Sequence, residues 1–445
     1  MSAQVAVTSS RRPWPLGRLL GSGRVEAREL AARALVVVAA WTASLSLVAN
    51  FVVAPLRGRF TGDLEDLGPI LYAGHQAAQG GDIYGQFVPG AQTTLVTYLG
   101  FDYPPLVAWL GRPLAALPYQ VAQAAWLWML LAATVASLVL IAREVLPPTW
   151  PRVQIGVALA GISAPATYDL WHGQINPLIL LSLALALRFW MRGQQVRCGV
   201  ALGIGAALKV APLILLVLLL RRRWWRGAAA GGATAAGSVL AGALLVGPQR
   251  AVEWFTQVLP VLSRDDGWFF NQGWNAVVNR LVDHSVYRVD APAPAVHLAV
   301  LALAAGGVLA AAWTVRPAAA DPLRRATEFA AGVTAMLLAG TIAWYSAYIH
   351  LVLPLLVVLG LAAHGQRLGR GLTAAALAVT VMLAVIAPAF LGMGGKDWLT
   401  NTHGTLLWWP ALQLVSLPAL CAACLLAALI AQARRGVIRC PVAVD

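Results

Sequence analysis

Five acidic side chains fall within residues 63–105: Asp63, Glu65, Asp66, Asp82 and Asp102. The whole chain of 445 residues holds only 18 Asp and Glu, so this window is a concentration. A carboxylate held beside a polar substrate can accept the proton of a hydroxyl nucleophile. Asp66 is the first choice for that role. Asp63 and Glu65 compete with it, and carboxylate spacing alone does not choose among them; the plain alternative is a solvated loop acid or helix cap. Far along the chain, Lys209 sits in ALKVAP with no other charge for ten residues on either side. Burying an ammonium without a partner costs several kcal/mol. An anion would offset that cost, and a phosphate suits it; the bland alternative is snorkelling or pairing with a loop carboxylate.

Further polar groups lie among aromatics. His350 in AWYSAYIHLVLP can steady a phosphate or hydroxyl near neutral pH, or be an ordinary buried histidine. His172, Gln174 and Asn176 in WHGQINP, and Asn271, Gln272 and Asn275 in FFNQGWN, are neutral hydrogen-bonding groups of the kind that hold sugar hydroxyls. Trp171, Trp268 and Trp274 beside them could stack on sugar faces or belong to an interfacial belt. Tyr103-Pro104-Pro105 fixes an extended entry into a helix and needs little chemistry, although Tyr103 is placed to join the sugar or acceptor contacts.

The elements that must position these groups are membrane helices. Apolar residues make up 59% of the chain and charged residues 11%, where a soluble domain carries about 25%. The chain reads as an all-α polytopic membrane protein, and its net charge of +14 reflects arginines at the ends of apolar runs, not nucleic acid. Residues 1–30 read as a cytoplasmic tail with no cleavable signal. Spans are expected at 31–55, 119–142, 153–168, 175–191, 227–247, 295–315, 326–343, 346–364, 371–392 and 408–432, with a short juxtamembrane or re-entrant piece at 104–118. Residues 433–445 form a second cytoplasmic tail. Outer loops cover about 56–118 and 248–294, and residues 31–432 make one domain.

Segment 198–220 breaks the alternation, because arginines flank both ends: Arg192 and Arg197 before, Arg221, Arg222, Arg223 and Arg226 after. Two half-length helices whose apex carries Lys209 toward the outer face resolve it. Counting that hairpin as two gives about twelve helices. Of the four cysteines, Cys421 and Cys424 form a C-x-x-C inside an apolar run, read as packing.

Five stretches carry a family resemblance: EDLGPILYAGHQAAQGGDIYG, FDYPPLVAWLGRPLAALP, WHGQINPLILL, CGVALGIGAALKVAPLILL with RRRWW, and FFNQGWNAVVNRL; IAWYSAYIHLVLP is a sixth. In order and spacing the chain resembles the polyprenol-phosphate-dependent membrane glycosyltransferases of the GT-C fold, family 87, which include mannosyltransferases and a branching arabinofuranosyltransferase. The resemblance implies inverting sugar transfer from a polyprenyl phosphate, outside the cytoplasmic membrane, to a glycolipid or envelope-glycan hydroxyl. It lands the general base on Asp66, the donor phosphate on Lys209 and a site histidine on His350. The lipid-linked donor is a co-substrate, and since it carries its own phosphate a metal is not obligatory; no other cofactor is implied. Mannose is the expected sugar, arabinofuranose the alternative. The chain departs from the family where Ile349 stands before His350, in the Ala343-Trp344 pair, and in a long spacer between Tyr84 and Phe101. The rival from another class is a secondary transporter or lipid flippase, which would place polar groups near the midplane with repeat symmetry.

Overall fold

A computed structural model describes residues 19–62, 64–85, 100–263, 267–268, 270–283, 294–318, 320–386 and 409–435. Asp63, the loop holding Lys396 and Asp397, and Cys440 lie outside the described residues. Among the described residues the chain is all-α, apart from an isolated bridge between Asn271 and Trp344. Among the described residues, six helices are long and apolar enough to cross a membrane: Ala34–Leu56, Tyr119–Val145, Trp225–Val246, Pro294–Thr314, Tyr345–Ala363 and Ser416–Arg435. Shorter apolar helices join them, among them Arg152–Ile162, Asn176–Met191 and Gln195–Leu208. The protein is therefore an all-α membrane protein.

The breaks follow from proline. The segment expected to cross at 153–168 divides into helices Arg152–Ile162 and Ala164–His172. A proline lacks the N–H for the i−4 carbonyl and clashes with it, so Pro165 cannot continue the first helix. Ser163 turns extended there, and its hydroxyl accepts from the Ala166 N–H at 3.4 Å. Pro212 acts in the same way on the carbonyl of Leu208. Helix Gln195–Leu208 ends, Lys209 is extended (φ −143°, ψ 134°), and a 3₁₀ turn, Ala211–Leu215, leads into helix Leu216–Arg221. The broken hairpin expected at 198–220 is present, with Lys209 at its break.

The first arm of that hairpin, Gln195–Leu208, lies between helices Asn176–Met191 and Trp225–Val246. Its approach to the latter is at backbone distance: a Cβ on Gly199 would strike the Gly227 carbonyl. Helix Leu67–Gln79 packs in the same close manner on Pro105–Ala115 through Gly74 and Gly111.

At the hairpin's other end, Arg222 and Glu328 form a fully buried ion pair at 3.2 Å. Arg324 reaches the same carboxylate at 3.3 Å. The Arg222 guanidinium also lies 4.9 Å from the ring centres of both Trp190 and Trp224. Glu144, from helix Tyr119–Val145, pairs with Arg188 at 2.8 Å and Arg192 at 2.9 Å.

Candidate active site

Asp66 immediately precedes helix Leu67–Gln79 but does not cap it with its side chain. Its backbone is stitched to the end of helix Ala164–His172: the Asp66 N–H donates to the His172 carbonyl at 3.1 Å, and Leu64 N–H to that of Trp171 at 3.2 Å. The half-buried carboxylate then receives a hydrogen bond from the Gln174 side-chain amide. Gln174 itself is buried, and its Oε1 meets no partner in hydrogen-bond geometry among the described residues.

Two residues on, Asn176 opens helix Asn176–Met191 and sits at a junction. Its Nδ2 donates to Asp169 Oδ1 at 2.8 Å and to Ser346 Oγ at 3.1 Å. Its Oδ1 accepts from Lys209 Nζ at 3.4 Å. The Lys209 ammonium stands 5.9 Å from the centre of the Tyr103 ring, a cation–π distance. His350 is buried on the 3₁₀ turn Tyr345–Leu351, the same turn that carries Ser346. Its ring nitrogens fall outside strict hydrogen-bond geometry, and the Asn176 backbone, acting as a hydrogen-bond partner, and Lys209 are its electrostatic neighbours.

The electrostatics join the two halves. Burial pushes the Tyr103 phenol well above its ordinary value, and the charges of Asp66, Asp102 and Asp169 push it the same way. Burial likewise raises the Asp169 carboxyl, against the Asn176 hydrogen bond and the Lys209 charge, with Asp66 adding to the rise. Asp102 is raised by burial and drawn back by Lys209. Asp66 is thus an electrostatic neighbour of Tyr103 and Asp169, the same two residues that Lys209 approaches through Asn176 and the Tyr103 ring.

The acids of the first window separate. Glu65 is exposed. Asp82 faces away into an ion pair with Arg250 at 2.8 Å. Asp102 is an electrostatic neighbour of Lys209, and Asp66 of Tyr103 and Asp169. Of the neutral candidates, Gln174 and Asn176 join the site directly. His172 contributes its carbonyl, while its ring lies 4.0 Å from that of Tyr168. Asn271 serves the backbone: Oδ1 accepts from Gly273 and Ala343, and Nδ2 donates to Thr341. Gln272 is buried, and its carbonyl takes the Tyr348 hydroxyl at 2.8 Å. These bonds sew the FFNQGWN stretch to residues 341–348 and so hold the turn that carries Ser346 and His350.

Sequence reasoning missed Asp169 and Ser346. The signal for Asp169 was present: it is the only acidic residue between Glu144 and Glu253. Lys209 carries a comparable mark, as one of two lysines in the chain. Ser346 has no such signature.

The apolar helices, broken at prolines, thus carry a carboxylate, an ammonium and buried amides near one another. Residues 101–341, more than half of the chain, match glycosyltransferase family 87, and the chain belongs to that family. Asp66 and His350 lie on either side of the matched stretch. Over 194 residues the chain is 26% identical to the polyprenol-phosphate-mannose-dependent alpha-(1-2)-phosphatidylinositol pentamannoside mannosyltransferase of Mycolicibacterium smegmatis. That match covers 42% of this chain and 45% of the relative, less than half of each. No solved structure matches the chain.

Proposed function

We propose that the protein is an inverting membrane glycosyltransferase that moves a sugar from a polyprenyl phosphate to a hydroxyl of a glycolipid or envelope glycan. The observation that carries this reading is the convergence of Asp66 and Lys209 on Tyr103, Asp169 and Asn176, in a chain of family 87. Asp66 accepts the proton of the acceptor hydroxyl as its oxygen attacks the anomeric carbon. The new carbon–oxygen bond forms while the bond to the phosphate oxygen breaks, and the polyprenyl phosphate leaves with one more negative charge. Lys209 and the His350 ring receive that charge, which is where fixed positive or donor groups accelerate such a step. Gln174, Asn176 and Tyr103 are the groups offered to sugar or acceptor; His172, Asn271 and Gln272 brace the segments that carry them.

The finer assignments rest on the relative and on charge placement. Mannose follows from the donor named for the mycobacterial relative, with arabinofuranose as the alternative. The arginine pairs with Glu144 and Glu328, at the hairpin end away from Lys209, support cytoplasmic placement of that end. The site then faces outward, the termini are cytoplasmic, and residues 31–432 form one GT-C domain of about twelve helices with its two large loops outside.

The test is transfer by the purified full chain in proteoliposomes, offered polyprenyl-phospho-mannose, polyprenyl-phospho-arabinose and a phosphatidylinositol mannoside acceptor. Wild type is expected to transfer mannose. Asp66→Asn, with an unchanged gel-filtration profile, should be slower by about 100-fold or more. A wild-type rate in that variant removes Asp66 from the mechanism, and flux without transfer in wild type favours a transporter.

A further inference from the structure

Asp169 is the most completely buried acid near the site, fully excluded from solvent in helix Ala164–His172. It touches neither Asp66 nor Lys209 by hydrogen bond; its one side-chain bond runs from Asn176 Nδ2 to its Oδ1, and its Oδ2 has no partner in hydrogen-bond geometry among the described residues. The orientation of the Asn176 amide follows from the chemistry of its neighbours. The ammonium of Lys209 can only donate, so it must meet the carbonyl Oδ1. The NH₂ then faces Asp169 and Ser346, both of which offer acceptor oxygens there. Charged or neutral, the Asp169 carboxyl still presents Oδ1 to that NH₂.

We propose that Asp169 is a positioning residue: by holding the Asn176 amide in one orientation, together with Ser346, it fixes the Lys209 ammonium where it meets the phosphate of the lipid-linked donor. This rests on the donor reading above and adds to it a residue that touches neither reacting group. The arrangement resembles the outer ligands of a metal site, where a group one bond removed sets the geometry of the one that binds. Without the carboxyl, only the Ser346 hydroxyl remains to hold the NH₂; a hydroxyl donates as readily as it accepts, so the amide can turn its NH₂ to Lys209, donor facing donor, and the ammonium loses its anchor.

The experiment measures binding of radiolabelled polyprenyl monophosphate, with no sugar, to the purified full chain in detergent. Lys209→Ala is expected to lose binding. Asp169→Ala and Asn176→Ala should each weaken it about tenfold, the range for leaving a buried polar partner unpaired. The double variant should be no weaker than either single one, because both act through one amide. The isosteric Asp169→Asn keeps an acceptor oxygen and should bind within about threefold of wild type, which also serves if Asp169→Ala fails to fold. In transfer assays the loss should fall on donor KM, with kcat at saturating donor little changed. Additive losses in the double variant, wild-type binding by Asp169→Ala, or a tenfold loss in Asp169→Asn each overturn the positioning role while leaving the donor reading intact. Wild-type binding by Lys209→Ala overturns the donor reading itself, and the positioning role with it.

Discussion

Asp66 owes its place to backbone more than to its own side chain. Its N–H is tied to the His172 carbonyl, so a residue from the first loop is registered against a helix end a hundred residues later. The Gln174 amide then donates to Asp66 Oδ2 and fixes the plane of the carboxylate. Gln174→Leu should therefore lower kcat about tenfold, the usual scale for losing a hydrogen bond to a charged group, with donor KM unchanged; steady-state kinetics separate the two. Asp66, Lys209, Gln174 and Asn176 were legible in the sequence, because polar side chains in an apolar chain are conspicuous. Asp169 was as conspicuous by scarcity, yet it stood inside a stretch read for its amides. Asn271 was legible as polar but not as structural, since only the fold shows that its side chain is taken up by Gly273, Ala343 and Thr341.

At the scale of elements, charge parity located the break in 198–220, and Pro212 accounts for where it falls. The parallel break at Ser163 was not foreseen: Pro165 carries no charge signal, and the apolar run on both sides of it has the composition of a single span. The count of spans was less legible than their order, because length and hydropathy do not say whether a short helix crosses or turns back. The hairpin's first arm is held by glycines facing helix Trp225–Val246. Gly199→Leu should disrupt that seam, costing about 1–3 kcal/mol or more from overpacking against backbone. A lowered thermal midpoint with weakened polyprenyl phosphate binding is the expected result, because the same arm ends at Lys209.

For the whole molecule, the ion pair at the far end of the hairpin sets how firmly its base is held. Removing one partner of a buried pair strands the other, at a cost of about 3–5 kcal/mol. Arg222→Ala should accordingly lower the thermal midpoint of the purified protein sharply, whereas Arg222→Met combined with Glu328→Leu should recover much of it. A salt titration distinguishes this from a surface effect, since buried pairs are little screened. Another tie, remote from that pair, concerns the spacer from Tyr84 to Phe101. The Tyr84 hydroxyl donates to the Tyr103 carbonyl at 2.9 Å, and the rings of Tyr84, Phe101 and Tyr103 succeed one another at 5.6 and 5.7 Å. The two ends of the spacer are thereby knotted together beside Lys209's aromatic partner. Closing a longer loop adds only about 0.6 kcal/mol per doubling, so the length of the spacer weighs little against a clasp that fixes both its ends and keeps Tyr103 in register with Lys209.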